Sequence, residues 1–558
     1  MMEQCKKRGQ VEESYLLKMD SLKNIAKKYN LGEGIANKIN ECIFEMKEFS
    51  LKILFVGSFS AGKSALINTI LNRDLLVEDQ KPETALASEI VFDDKEYIEL
   101  FNNNGTVETC PIVDIDNYDS DQYKYLRYHI KNEYLRKCSG ITLVDMPGFN
   151  SGIEKHNKAI LQYAAQGNAY VLVVDCEDGE LKASVLEFIE EIKQYDNNVA
   201  IVISKSDKKP QDHINIILEK IKETASSVFN KELVVISTSK FDEGVCAKMD
   251  TILEGFNSNY LFEQKFKPQI TEIGSLCHDA IENVIKTDKF DVSEIEQEIY
   301  KRQKVKINLT EQLNSESKKI SAKMKNQVKP SILADMHSAL LRNSAAIASS
   351  IIAGKDAFSR TVNNILRPVL IASTHRYSEE CFNELVEQMD MLDCSSEKNL
   401  QETANDVSEK FKEIAMKVKK IASNSDKGTG TYKGVVGALA ITTSFVAPWM
   451  EVLVLFLPDI LRVWDMLNKE HQMNKLKLQV ENEIIPDIIS KMEEEIQNSL
   501  QLLEEEMICE IEGRINTLID IETEALSNAL NLKNSKKMEY DLLLQDMKTD
   551  LKKIESII

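Results

Sequence analysis

The sequence predicts two architectures in one chain. One is an α/β head with a mainly parallel sheet and helices on both faces; the other is an elongated all-α neck and trunk bundle with an apolar tip. Three observations carry this. Short, branched apolar runs alternate with amphipathic helical patterns up to about residue 255. From residue 256 the strand runs stop and a Lys/Glu-rich helical pattern continues with few Pro or Gly. One stretch near residues 434–464 is almost free of charge. The expected division is N-terminal helices over 1–50 that pack into the neck, an α/β head over 51–255 and a neck and trunk over 256–430. An apolar tip over 431–465 and returning helices over 466–558 complete it.

With 558 residues the chain exceeds one hydrophobic core, and 43 % hydrophobic with 28 % charged residues is ordinary for a folded protein. A net charge of −21 repels nucleic acid, so no nucleic-acid partner is expected. Any anionic membrane contact needs a local basic or apolar patch. Ten cysteines lie scattered without a CxxC pair, which reads as reduced thiols in a cytosolic protein. The start, Met1 to Arg8, has no apolar run behind it, so no secretory signal is expected.

Residues 11–49 read as helix, because Ile35, Ile39, Ile43, Met46 and Phe49 recur at spacings of three and four. The period then changes. Strand-like runs lie at 51–56, 98–101, 141–144, 170–174, 199–203 and 233–236, with helical patterns between most of them. Further on, Ile485, Ile489, Met492, Ile496, Leu500, Leu503, Met507 and Ile511 form one long stripe suited to an elongated bundle.

The chemistry sits at the ends of the strand runs. Gly57-Ser58-Phe59-Ser60-Ala61-Gly62-Lys63-Ser64 matches GxxxxGK[ST] between a strand and a helix that continues with Ala65. Glycines let backbone N–H groups close around phosphates, and the helix start adds a positive dipole end. Lys63 reaches the terminal phosphates, and the Ser64 hydroxyl ligates Mg2+. Asp145-Met146-Pro147-Gly148 closes a later strand as DxxG. Asp145 is expected to hold magnesium through water, and the Gly148 N–H to meet the γ-phosphate. Ser204-Lys205-Ser206-Asp207 resembles the guanine motif [NT]KxD, with Ser in the first place. A carboxylate at Asp207 accepts from both the ring N–H and the exocyclic amine of guanine, which adenine does not offer together. Ser237-Thr238-Ser239-Lys240 is a weaker candidate for the base edge. In Lys81-Pro82-Glu83-Thr84-Ala85, Thr84 is the candidate switch ligand for magnesium, with Thr106 and Thr109 as alternatives. These readings make GTP the substrate and Mg2+ the cofactor.

Ser60-Ala61 ahead of Gly62-Lys63-Ser64, then Ala65-Leu66-Ile67-Asn68, Arg73-Asp74-Leu75-Leu76 and Thr84-Ala85, resemble the dynamin superfamily, and most of all bacterial dynamin-like proteins. The resemblance covers motifs over residues 51–240; the helical remainder matches in layout only. It implies a P-loop GTPase head on a helical neck and trunk, with a membrane-binding tip and self-assembly across the nucleotide face. It further implies that Ser60, with Lys63 and Thr84, serves hydrolysis by contacting the bridging region of the nucleotide. Phe59 departs from the polar residue that eukaryotic dynamins carry there. No lipid-binding β-domain or Pro-rich tail is visible, which separates the chain from endocytic dynamins.

The apolar stretch divides near Pro448. Gly434–Ala447 as a helix would be about 21 Å long, short of a hydrocarbon core about 30 Å thick. Partial insertion of a hairpin, a single tilted span over 434–457, and a buried bundle or oligomer contact are the three readings. Ahead of it, Lys410, Lys412, Lys417, Lys419, Lys420, Lys427 and Lys433 face only Glu413 and Asp426, with Phe411, Ile414, Ala415, Val418 and Ile421 as an apolar stripe. The expected partner of 410–465 is an anionic lipid membrane. The expected activity is GTP hydrolysis coupled to self-assembly and membrane remodelling, in the cytoplasm at the inner face of the cell membrane. Assembly would be a homo-oligomer through the heads, or would involve a second related dynamin-like chain. The alternative is a soluble GTP-dependent switch or scaffold whose helical half recruits a protein.

Overall fold

The computed structural model describes residues 2–77, 86–102, 104–112, 122–138, 140–148, 167–182, 185, 186, 189, 198–256, 258–388, 398–423, 473–535 and 537–558. Thr84 and the whole apolar stretch 434–457 lie outside the described residues.

Among the described residues, nine strands form one sheet: β1 (Leu51–Val56), β2 (Ala87–Phe92), β3 (Tyr97–Asn102), β4 (Val107–Cys110), β5 (Tyr123–Ile130), β6 (Ile141–Asp145), β7 (Ala169–Asp175), β8 (Val199–Ser204) and β9 (Val235–Ser237). Their order is β4-β3-β5-β2-β6-β1-β7-β8-β9. From β6 through β1 and β7 to β9 all pairings are parallel, while β2 meets β6, and β3 meets β4 and β5, in antiparallel fashion. The central strands are buried on both faces, which is why they read as unbroken apolar runs. Strands β2, β4 and β5 escape that pattern. In β5, Tyr-Lys-Tyr-Leu-Arg-Tyr-His-Ile alternates, and only Leu126, Tyr128 and Ile130 are buried.

Helices cover both faces. On one, Ile53 and Phe55 pack with Ile67 and Ile70 of α3 (Lys63–Leu71). On the other, Leu54 and Val56 join a cluster that continues into the helical half. The N-terminal helical pattern is two helices, α1 (Met2–Tyr29) and α2 (Glu33–Lys47), because Asn30 adopts a left-handed conformation between them. Both pack on α7 (Ser258–Lys286), which follows α4 (Glu133–Lys137), α5 (Gln211–Phe229) and α6 (Val245–Gly255). Tyr15 and Phe49 meet Phe262 edge to face at 5.6 and 5.4 Å between ring centroids.

The remaining helices are α8 (Val292–Lys323), α9 (Lys329–Arg342), α10 (Ser344–Ala353), α11 (Lys355–Gln388), α12 (Lys398–Ser423), α13 (Met473–Gln479), α14 (Ile485–Ser535) and α15 (Lys537–Ile557). Helix α14 has 51 residues, roughly 75 Å at the α-helical rise, and α8 runs along it. The apolar stripe of α14 from Ile485 to Ile511 faces the core: Ile489 is half-buried and the others are buried. At its far end α15 ties back to α1, where Asp550 accepts from Tyr29 at 2.6 Å and from Lys28 at 3.0 Å.

One expectation about the basic arm is corrected. Lys410 is not offered to a lipid surface. It is buried, and its ammonium donates to Asn283, Asp406 and Glu522 at 2.8 Å each. Phe411 and Ile414 are buried too, so these two members of the apolar stripe face the bundle core. An apolar face gains more from a bundle already in place than from a distant membrane. Lys417 is exposed, in the vicinity of Glu413 at 3.9 Å; the lysine side chains beyond it lie outside the described residues.

Candidate functional site

In a mainly parallel sheet, ligands bind beyond the carboxyl ends of the strands where the order reverses. Here that place is the end of β1, between β6 and β7. The loop Gly57–Gly62 leaves β1 and turns into α3 under tight packing. A Cβ on Gly57 would stand 2.4 Å from the Val173 carbonyl oxygen. Ser60 adopts φ +61° and Gly62 φ +88°, so the loop crest is left-handed at two positions. From the other side the backbone of Gly148 closes in, where a Cβ would lie 2.7 Å from Phe59 Cα. DxxG and the phosphate loop therefore meet backbone to backbone. Phe59 itself is 46 % exposed and places no polar group over the loop.

Three charged or polar groups are gathered at the base of this loop. Lys63 is buried, and its ammonium donates to Gly57 O at 3.2 Å and Ser58 O at 3.1 Å. Burial pushes its pKa down to about 8, against the pull of Asp145. The Ser64 hydroxyl donates to Asp145 Oδ2 at 2.6 Å. Burial raises Asp145 to about 6, opposed by Lys63 and Ser64. Its second oxygen, Oδ1, is buried with no hydrogen-bond partner among the described residues. A buried carboxylate oxygen left unmet beside a hydroxyl is a hard-oxygen donor set, and it fits a divalent cation such as Mg2+.

The guanine candidate stands beside this loop. Ser204 ends β8 and donates its hydroxyl to Ala61 O at 2.6 Å and Val174 O at 3.2 Å. One short side chain thus ties the phosphate loop to the base loop, despite the departure from Asn or Thr. Lys205, at φ +54°, donates to Ser60 O at 2.7 Å and pairs with Asp175 at 2.6 Å. Asp207 lies exposed in the following turn and makes no hydrogen bond or ion pair among the described residues, so its carboxylate is free to accept. Ser237 ends β9, and its carbonyl accepts from Lys248 at 2.7 Å.

Ser58, Ser60, Ala61, Lys63, Ser64, Ala65, Asp145, Gly148, Ser204 and Lys205 are thus one connected site, with Asp207 and Ser237 at its edge. Sequence reasoning missed Asp175, Asp242 and Lys248. Asp175 at the end of an apolar strand was a usable signal; Lys248, within α6, carried none. Thr106 and Thr109 belong to the β3–β4 hairpin, five strands from β1, about 24 Å at the usual strand spacing. They do not reach the site, which leaves Thr84 as the switch candidate.

A protein-family profile for the Dynamin family matches residues 53–206. An uncharacterized protein in the xynA 3′ region of Caldicellulosiruptor sp. is 24 % identical over 293 residues, covering 48 % of this chain and 71 % of that one. Dynamin-like protein 2 of Campylobacter jejuni is 26 % identical over 216 residues, 37 % of this chain and 33 % of that protein. Dynamin-like protein A of Bacillus subtilis is 24 % identical over 183 residues, 32 % and 15 %. The match thus spans a third or less of the two dynamin-like relatives. A solved oligomerised bacterial dynamin pair, described as sensing and tethering membranes over long range, aligns over 96 % of this chain and 93 % of that one. Its TM-score is 0.34 with 16 % identity. Residues 53–206 thus carry a domain of the dynamin family of GTPases, and the chain is similar to bacterial dynamin-like proteins.

Proposed function

We propose that this chain hydrolyses GTP to GDP and phosphate with Mg2+, and couples nucleotide-dependent self-assembly to membrane binding and remodelling at the inner face of the cell membrane. The observation that carries the nucleotide chemistry is the buried Lys63–Asp145–Ser64 group, with one carboxylate oxygen left unmet. Lys63 exchanges two backbone carbonyls for the terminal phosphates, which meets its charge far better than they do. Ser64 and Asp145 hold the cation, with Thr84 completing the set while the γ-phosphate is present. The cation, when bound, neutralises charge on the β- and γ-oxygens. Gly148 presents its N–H to the γ-phosphate, and Ser60 lies along the bridging oxygen. Asp207 selects guanine. Because Phe59 offers no polar group, water is oriented by a partner head across the nucleotide face, from a second copy or a related chain. The stretch 431–465, with lysines beyond 410, supplies the membrane contact.

A second reading is favoured by the burial of Lys410, Phe411 and Ile414. It is a GTP-dependent switch or scaffold whose helical half recruits a protein. Phosphate release with GTP and magnesium tests the first step, with no release ending the hydrolase reading. Flotation with anionic liposomes, with and without GTP, separates the two: a chain that never floats leaves the scaffold.

A further inference from the structure

The segment after β9 is braced by residues that no phosphate or base motif contains. Thr238 N–H donates to Ile203 O at 2.8 Å and Ser206 N–H to Thr238 O at 3.1 Å, which seats this segment against the loop carrying Asp207. The buried Thr238 hydroxyl donates to Asp242 Oδ2 at 2.9 Å. Lys248, one turn into α6, reaches back to Ser237 O at 2.7 Å and Asp242 Oδ2 at 2.6 Å. Gly244 N–H donates to the other Asp242 oxygen at 2.9 Å, and Asp242 N–H to Ser239 O at 3.1 Å. Both carboxylate oxygens and the ammonium are therefore occupied in holding one turn. Burial opposes ionisation of Asp242, but hydrogen bonds from Lys248, Gly244 and Thr238 keep its carboxyl below the usual range. Within the braced turn, the N–H groups of Ser239 and Lys240 donate to nothing among the described residues. Donors left open in an otherwise closed turn, beside an unpaired carboxylate at Asp207, complement a ligand edge that carries an acceptor next to donors.

We propose that Asp242 and Lys248 are positioning residues for base recognition, holding the Ser239–Lys240 amides where they meet the carbonyl edge of guanine while Asp207 meets its amine edge. The assignment rests on the GTP reading above and adds to it the residues that set discrimination at the six-position of the base. Neither touches the nucleotide; both act through the turn.

The test measures KM and kcat for GTP, for inosine triphosphate, which lacks the amine, and for 6-thioguanosine triphosphate, which has sulfur in place of the carbonyl oxygen. Lys248→Met is expected to raise KM for GTP about tenfold with kcat within about twofold. The preference for GTP over the 6-thio analogue should shrink, while the preference over inosine triphosphate stays. Lys248→Arg keeps the donors and should restore both. Asp242→Asn is the second variant, should Lys248→Met fold poorly. Unchanged KM in both variants, or equal movement of both preferences, overturns the assignment. A wild-type chain that turns over GTP and its inosine analogue equally well instead overturns the guanine reading of Asp207, on which it stands.

Discussion

Two of the buried charge clusters in this molecule, one at the phosphate loop and one in the helical half, are built in opposite ways. In the head, Asp145 uses one oxygen on Ser64 and leaves the other unmet, while Lys63 is satisfied only by loop carbonyls. In the helical half, Glu522 is fully buried and engaged by Arg302 Nε at 3.0 Å and Lys410 Nζ at 2.8 Å. Arg302 also pairs with Glu298 and, at 3.4 Å, with Asp406. Both clusters carry the desolvation cost of buried ions. The helical one offsets it internally, whereas the phosphate-loop cluster leaves it partly open. The difference teaches how to read such clusters: complete pairing holds helices together, and incomplete pairing awaits a ligand.

The strongest way to sharpen this contrast is Glu522→Ala, which strands two cations in the bundle and should cost about 3–5 kcal/mol in denaturant unfolding. Replacing Glu522, Arg302 and Lys410 together by leucine and methionine should recover most of that loss. A small cost for the single change would mean the cluster is open to water.

Next in size is Lys63→Ala. Truncating one partner of a buried charge contact should weaken GTP binding at least about a hundredfold in calorimetry. Stability without nucleotide should stay within about 1 kcal/mol, because this lysine is held desolvated with its pKa lowered to about 8. Destabilisation as large as that of Glu522→Ala would erase the distinction between the clusters.

The tie between the two ends of the chain comes third. Burial alone would raise the pKa of Asp550, but hydrogen bonds from Lys553, Tyr29 and Lys28 hold it at about 2. Because the folded value lies below the unfolded one, its contribution is complete above about pH 4 and disappears as pH falls toward 2. Asp550→Asn should therefore cost roughly 2 kcal/mol at neutral pH and almost nothing at pH 2. An equal cost at both pH values would assign the effect to packing.

Smallest of all should be Asp520→Ala. It removes the pair between Lys306 and Asp520 at 2.7 Å, whose side chains are 33 % and 57 % exposed. A surface pair of this kind is worth under about 1 kcal/mol. A larger loss would show that the α8–α14 contact depends on charge beyond the buried cluster.

Local pattern by itself marked the phosphate loop from Gly57 to Ser64, Asp145 at a strand end, the motif Ser204 to Asp207 and the long stripe of α14. Each depends on neighbours within a few residues, or on one periodicity. Strands β2, β4 and β5 were hidden because a sheet face left partly polar breaks the apolar run. The break at Asn30 was hidden because a helical stripe persists across a turn when both helices bury the same face. Only the tertiary structure decided that Lys410 belongs to the core, since Glu522 lies 112 residues away in sequence. Electrostatic energy depends on distance in space and on solvent access, and a lysine in a basic stretch carries neither in its sequence. The same holds for Lys248, whose role arises wholly from where α6 passes the turn after β9.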